Sequence, residues 1–247
     1  MYIYEYAEWP LFKFDLEKLS IFLEQCHFEQ GKLLSKMELL GLTEKEEKVL
    51  STITSDIIKS SEIEGYILNK EQVRSSIARR LGINRSNLVL SDRNIDSIVE
   101  MMIDAIHNYD KPLKEERLFG WHACLFPNGY SGMYKIDVGQ YRKNRMQVVS
   151  GGIGHEKVHY EAPDFKNVPA EMKRFLDWFN NDTCDLYLKA AIAHLWFVTI
   201  HPFDDGNGRI ARTISDMLLC KSDKSSLRFY SLSAQIMKEK NSYYDIL

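Results

Sequence analysis

Apolar residues along the first part of the chain recur at helical spacing. From Asp15 to Leu42 the residues Leu19, Phe22, Leu23, Phe28, Leu33, Leu34, Met37 and Leu40 lie at helical spacing, which predicts a helix with one apolar face. Asp15 is placed to cap that helix and Gly41 to stop it. Thr43 followed by Glu46 has the form of a capping box. A second helix then runs through EKVLSTITSDIIKSSEIE and stops near Gly65. The same spacing predicts helices over KEQVRSSIARRLG, with Gly82 as its stop, and over DRNIDSIVEMMIDAIHNY.

Between Pro127 and Pro169 the periodicity disappears. Gly129, Gly132, Gly139, Gly151, Gly152 and Gly154 punctuate short β-branched or aromatic runs, QVV and KVHY, which predict a loop region with one small hairpin. Helical spacing returns at AEMKRFLDWFNN and at DLYLKAAIAHLWFVTI, breaks at His201-Pro202, and resumes at RIARTISDMLLCK from near Arg209. Ala190–Ile200 is apolar nearly all round, the pattern of a central buried helix. The chain reads as mostly helical with one glycine-rich insertion, and Ser242–Leu247 as the start of a further helix.

Composition narrows the function. The 247 residues carry 32 Lys+Arg against 35 Asp+Glu, a formal charge of −3, so clustered positive charge against phosphate is no general feature and nucleic acid is not an expected partner. Cys26, Cys124, Cys184 and Cys220 are scattered with no CxxC pair, which favours free thiols in a reducing compartment. The N-terminus lacks the basic and apolar blocks of a signal peptide, and Ala190–Ile200 is too short to cross a bilayer. A cytoplasmic location, away from membranes, is therefore expected.

The chemistry concentrates in HPFDDGNGRIAR, His201 to Arg212. Pro202 ends the preceding helix, and Gly206-Asn207-Gly208 leads directly into the next one. The first turn of a helix carries unpaired N–H groups and partial positive charge, and glycines let anionic oxygens approach the backbone, so this junction can cradle phosphate. Arg209 and Arg212, three apart on one face, can clamp further phosphates. Asp205 offers the hard oxygen that Mg²⁺ on a polyphosphate requires, and His201 titrates near neutrality and can take a proton from a nucleophile. Taken singly each has an ordinary reading: a turn, a cap, solvated charges. Together in twelve residues they favour the anion site. Phe203, among polar neighbours, is expected to anchor the loop in the core.

This stretch resembles the HPFx(D/E)GNGRxxR signature of Fic-domain proteins, matching at every fixed position. GQYRKNRMQVVSG and the following VHYEAPD resemble the hairpin flap of that family, so the likeness spans about Arg117 to Leu219. The resemblance implies an all-α fold: a Fic helical bundle with a small β-hairpin flap and an N-terminal helical region. It divides the chain into residues 1–100, 101–222 as the catalytic core, and 223–247 as a C-terminal segment that can begin a further domain. It implies transfer of AMP from ATP to a Ser, Thr or Tyr hydroxyl of a target protein with release of pyrophosphate. On that basis His201 is the general base and Asp205 holds Mg²⁺. Gly206, Asn207 and Gly208 form the anion hole, with Asn207 on the α-phosphate. Arg209 serves the β-phosphate and Arg212 the γ-phosphate. Val148, Val149, Val158, His159 and Tyr160 belong to the flap that aligns the target by strand addition. Ser60-Ser61-Glu62-Ile63-Glu64-Gly65 fits the family's inhibitory [S/T]xxxE[G/N] motif, with Ser60, Glu64 and Gly65 at its fixed positions. There Glu64 would pair with Arg212 in place of the γ-phosphate. A homodimer and self-modification are within what the family implies, as is removal of AMP by the same site.

Two rival readings are set aside. His155-Glu156-Lys157-Val158-His159 spells HExxH, but that zinc motif works only on a helix, and this one follows three glycines and precedes Pro163. A Fic fold acting as a low-turnover interaction module would not need both His201 and Asp205.

Overall fold

The computed structural model of the chain describes residues 1–150 and 157–247. Among them are ten α-helices and two two-stranded antiparallel hairpins. The helices are α1 (Leu16–Glu38), α2 (Leu42–Ile63), α3 (Lys70–Leu81), α4 (Arg93–His107), α5 (Glu115–Leu125), α6 (Val168–Asn181), α7 (Leu186–Ile200), α8 (Asn207–Asp223), α9 (Leu232–Lys238) and α10 (Lys240–Ile246). The strands are β1 (Tyr130–Ser131), β2 (Tyr134–Lys135), β3 (Gln147–Ser150) and β4 (Lys157–Glu161). The mostly helical reading is therefore correct, while the insertion holds two hairpins rather than one. No helix among the described residues is long and apolar enough to cross a membrane.

Helix ends follow side-chain chemistry. Asp15 accepts from the Lys18 N–H to cap α1, and Asn69 and Asp92 do the same for α3 and α4. Gly82 ends α3 in the left-handed conformation, as expected. The Thr43–Glu46 capping box does not form. Gly41 caps α2 two residues before Thr43 and offers no side chain, so Thr43 lies inside the first turn. The apolar face read on α1 also differs from the structure, for none of its residues is buried, and Phe22 and Phe28 face solvent. Helical spacing fixes the helix but not the partner that would cover it.

The core lies where α7 and α8 pack along each other, with α2, α4, α5 and α6 around them. Trp196, Phe197, Phe175 and Phe203 fill it, and Trp9 and Phe12 of the N-terminal segment close over Trp196. A second, ionic centre lies beside it. Arg228, fully buried, donates to Asp216 Oδ1 at 2.8 Å and stands 4.0 Å from Asp56 Oδ2 and 3.8 Å from Asp223 Oδ2. Asp56 accepts from Ser231 Oγ and the Ser233 N–H, and Asp223 from Gln30 and Tyr230. The cluster thus ties α1, α2, α8 and the start of α9 together.

Three carboxylates around one guanidinium leave surplus negative charge in a dry site. Burial first, and mutual repulsion second, push the Asp216 carboxyl up, and burial raises Asp56 and Asp223. A carboxyl whose folded-state pKa lies above its unfolded value stabilises the fold at low pH and loses that contribution as pH rises toward the folded-state value. Thermal unfolding should therefore show the melting temperature falling between about pH 5 and about pH 8, and Asp216→Asn should flatten that slope. Parallel slopes in the two proteins would remove Asp216 as the source.

Candidate active site

The HPFDDGNGRIAR segment connects the C-terminus of α7 to the N-terminus of α8, and its backbone is held from several sides. His201 caps α7 with φ 51°, in the left-handed region that a β-carbon disfavours by about 1–2 kcal/mol. Phe203 is fully buried and stacks on the His122 ring at 4.3 Å, the anchoring role expected for it. Asn207 folds its amide back on the loop, Oδ1 accepting from the Phe203 N–H at 3.0 Å and Nδ2 donating to the Phe203 carbonyl at 2.8 Å. Its side chain is therefore engaged with the loop through both ends of the amide.

The glycines have separate reasons. Gly206 caps α8 at φ 81°, and a β-carbon there would lie 2.9 Å from Leu125 Cδ1 and from Phe126 Cε2. Gly208 has ordinary backbone, but a β-carbon there would run into the Glu64 carboxylate and lie 3.2 Å from Arg212 Nη1.

His201 keeps its Nδ1 3.1 Å from the Val198 carbonyl. A carbonyl only accepts, so Nδ1 carries the proton and Nε2 is the basic nitrogen. Burial holds the imidazole below its ordinary pKa, opposed by the Val198 hydrogen bond and reinforced by the Arg142 cation, so the ring is neutral near pH 7. Asp205 turns Oδ2 toward the hydroxyls of Ser131 and Tyr66, the latter at 3.3 Å, and Oδ1 accepts from the Gly206 N–H.

Arg209 and Arg212 are both buried on one side of α8. Arg212 donates Nε to Ser60 Oγ at 2.9 Å, and Nη2 to the Ser60 carbonyl at 3.0 Å and to Glu64 Oε1 at 2.7 Å. Arg209 lies 4.5 Å over the Tyr66 ring and 4.9 Å over Phe126, with only a distant charge contact to Asp205 at 3.9 Å. Its Nε and Nη2 are buried with no hydrogen-bond partner among the described residues. Gly65, at φ 82°, ends α2 so that Glu64 reaches Arg212 while Tyr66 turns back onto Arg209.

The structure thus brings Ser60, Glu64, Gly65, His201, Asp205, Gly206, Gly208, Arg209 and Arg212 to one site. On the hairpin, Val148, Val149 and Val158 are exposed, with a bulge between Val148 and Val149. Tyr160 instead turns inward and donates to the Thr199 carbonyl at 2.5 Å. His159 lies on β4, a strand, which denies the HExxH pattern its helix; His155 and Glu156 fall outside the described residues.

Three residues were missed in the sequence. His122 accepts from the Gly139 N–H at Nδ1, which leaves the proton on Nε2 to reach the Asp205 carbonyl at 3.2 Å; burial lowers its pKa to about 4. Tyr66 and Ser131 crowd Asp205. None sits in a motif, and their signal is spatial.

Asp205 suits Mg²⁺: a carboxylate ringed by hydroxyl oxygens is a hard donor set. No group of three His, Cys, Asp or Glu able to hold a metal exists among the described residues, so such an ion would draw its remaining ligands from phosphates and water.

Residues 112–219 match the Fic/DOC family, and residues 2–83 match a domain of unknown function (DUF4172). Protein adenylyltransferase fic-1 of Caenorhabditis elegans is 41% identical over 64 residues, covering 25% of this chain and 12% of that protein. Uridine 5'-monophosphate transferase of Xanthomonas campestris pv. campestris (strain 8004) is 30% identical over 116 residues, covering 44% of this chain and 21% of that protein. A Fic family protein from Desulfovibrio desulfuricans G20 shares the fold, with a TM-score of 0.64 at 24% identity over 91% of this chain and 65% of that one. The chain spans under two thirds of the length of each.

The geometry sets a test of the loop. Gly206→Ala should lower stability by about 2 kcal/mol or more in urea unfolding, from positive φ and the collision with Leu125 and Phe126. Gly120→Ala, in mid-α5 with open space around it, should instead stabilise by about 0.5 kcal/mol. Equal effects at the two positions would refute the strained-cap account.

Proposed function

We propose that the Fic/DOC domain at residues 112–219 transfers AMP from ATP to a hydroxyl side chain of a target protein and is autoinhibited by Glu64. The observation that carries this reading is the pair of buried guanidiniums at the start of α8. Arg212 is answered by a carboxylate, and Arg209 holds donors with no acceptor among the described residues. Buried donors without partners are unfavourable, and a polyphosphate laid along this helix N-terminus supplies the missing acceptors.

In the forward reaction His201 Nε2 takes the proton from the target Ser, Thr or Tyr hydroxyl. The hydroxyl oxygen forms its bond to the α-phosphorus, and the bond to the bridging oxygen breaks to release pyrophosphate. The backbone N–H groups at Asn207 and Gly208 and the Arg209 guanidinium face the developing charge, and positioning of this kind provides most of the acceleration in phosphoryl-type transfer. Mg²⁺ bound at Asp205 would neutralise charge on the phosphates. Glu64 occupies the partner of Arg212 that the γ-phosphate would otherwise take. The outward valines of the hairpin offer an apolar strand surface to a target segment. Cytoplasmic location, self-modification and a homodimer belong to this reading as well.

Labelling with α-³²P-ATP decides it. Glu64→Gly should raise incorporation into lysate proteins at least about tenfold over the parent chain, the scale of one displaced charge pair. His201→Ala in that background should abolish it, and Arg212→Ala should reduce it. Because one relative is named for UMP transfer, α-³²P-UTP runs in parallel, and preferential labelling from it would replace AMP in this reading. No labelling from either nucleotide by Glu64→Gly would sink the transferase claim.

A further inference from the structure

Arg142 lies between the two hairpins and is 2% exposed. Among the described residues its guanidinium donates to backbone carbonyls alone: Nε to His201 at 2.7 Å, Nη1 to Asn144 at 2.8 Å, and Nη2 to Pro163 at 2.5 Å and to Ile200 at 3.5 Å. Its own N–H donates to the Pro202 carbonyl at 2.9 Å. Burying a cation is expensive without a counter-charge. Arg142 meets that cost at the C-terminus of α7, where unpaired carbonyls carry partial negative charge and α7 itself has no basic residue in its last turn.

These four carbonyls belong to two separate parts of the site. Ile200 and His201 lead into the catalytic loop. Asn144 and Pro163 flank the outer hairpin, just before β3 and just after β4. One planar group with fixed donor directions therefore registers the hairpin against His201. It also fixes the left-handed backbone at His201, which nothing in that residue's own side chain favours.

We infer that Arg142 is a positioning residue that locks the target-holding hairpin to the His201 backbone. The inference rests on the reading of His201 as the base. The charged groups acting on His201 are Arg142, which disfavours its protonation, and Glu64 and Asp205, which favour it. With the Arg142 charge removed, burial still disfavours protonation but one cation no longer does, and the imidazole becomes easier to protonate, Asp205 favouring it even in a chain that lacks Glu64.

The test uses Arg142→Gln and Arg142→Lys in the Glu64→Gly chain. The titration of the His201 ring is followed by NMR without nucleotide, beside steady-state kinetics. Arg142→Gln should move the His201 midpoint upward and reduce turnover by at least about tenfold, since a displacement near 1 Å at the reacting atoms costs that much or more. ATP binding, read by a fluorescent analogue, should stay within about twofold. Arg142→Lys keeps the charge but cannot span four carbonyls, so the midpoint should stay near that of the parent while turnover still falls. An unmoved His201 midpoint in folded Arg142→Gln, or ATP affinity falling in step with turnover in Arg142→Lys, would overturn the inference. Were the Glu64→Gly chain itself to transfer no nucleotide, the catalytic reading would fail separately, and the histidine titration would still decide for or against Arg142.

Discussion

The site depends on the Arg212 guanidinium, buried where the end of α2 meets the start of α8. A buried cation without an anion is strongly unfavourable, so some negative charge must stand beside it in every stable state. That charge is Glu64, and the Ser60 hydroxyl and carbonyl oxygens accept further hydrogen bonds from Arg212. On the proposed reading a triphosphate is the only other group brought to this place with comparable charge. The contact that neutralises Arg212 in this fold and the contact that restrains catalysis are then the same ion pair. Gly208 belongs to that logic, because a β-carbon at 208 would occupy the carboxylate's space.

Around this pair the protein separates chemistry from support. The imidazole of His201, the Oδ2 of Asp205 and the Arg209 guanidinium, two of whose donors have no partner among the described residues, gather at the site. The loop that carries them is held by groups acting on the backbone: Asn207 on Phe203, His122 on the Asp205 carbonyl, Arg142 on His201. Each of these supports is polar and buried, and each would be costly to leave unpaired, so the loop has one low-energy conformation. Preorganisation of this sort is what transfer to a positioned hydroxyl requires.

How much of this the sequence disclosed follows from where the information lies. Stops at Gly65 and Gly82 and the break at His201-Pro202 are local events, decided by one residue's backbone preference, and they were legible. The residues of the proposed anion cradle are likewise contiguous, so the proposal can be framed from the sequence alone. The helix α5 was not read, because Gly120 interrupts RLFGWHACL and its apolar residues follow no single face. Arg142 was passed over for the opposite reason: in GQYRKNRM it is one of three basic residues, and nothing local shows that it alone is buried. His122 carries no motif, since it works by meeting a carbonyl 83 residues away. Thr43 and Glu46 had the right letters, but Gly41 starts the helix first.

The burial of α2 constrains how Glu64 can leave Arg212. Val49, Leu50, Ile53, Ile57 and Ile63 are all in the core, so shifting the whole helix would expose several large side chains, each worth about 1.5–3 kcal/mol. The C-terminal helices hold it further. Asp56 caps into the start of α9, and the Ile63 carbonyl accepts from Lys240 at 2.8 Å and from Tyr244 at 3.4 Å. The Glu64 side chain, by contrast, is about a third exposed, and Glu64 is the C-cap residue beyond the last α2 turn. A rotation about its side-chain bonds toward solvent requires no loss of core packing. On the proposed mechanism, relief of inhibition is therefore a swing of one carboxylate, with α2 left in place and Tyr66 still resting on Arg209.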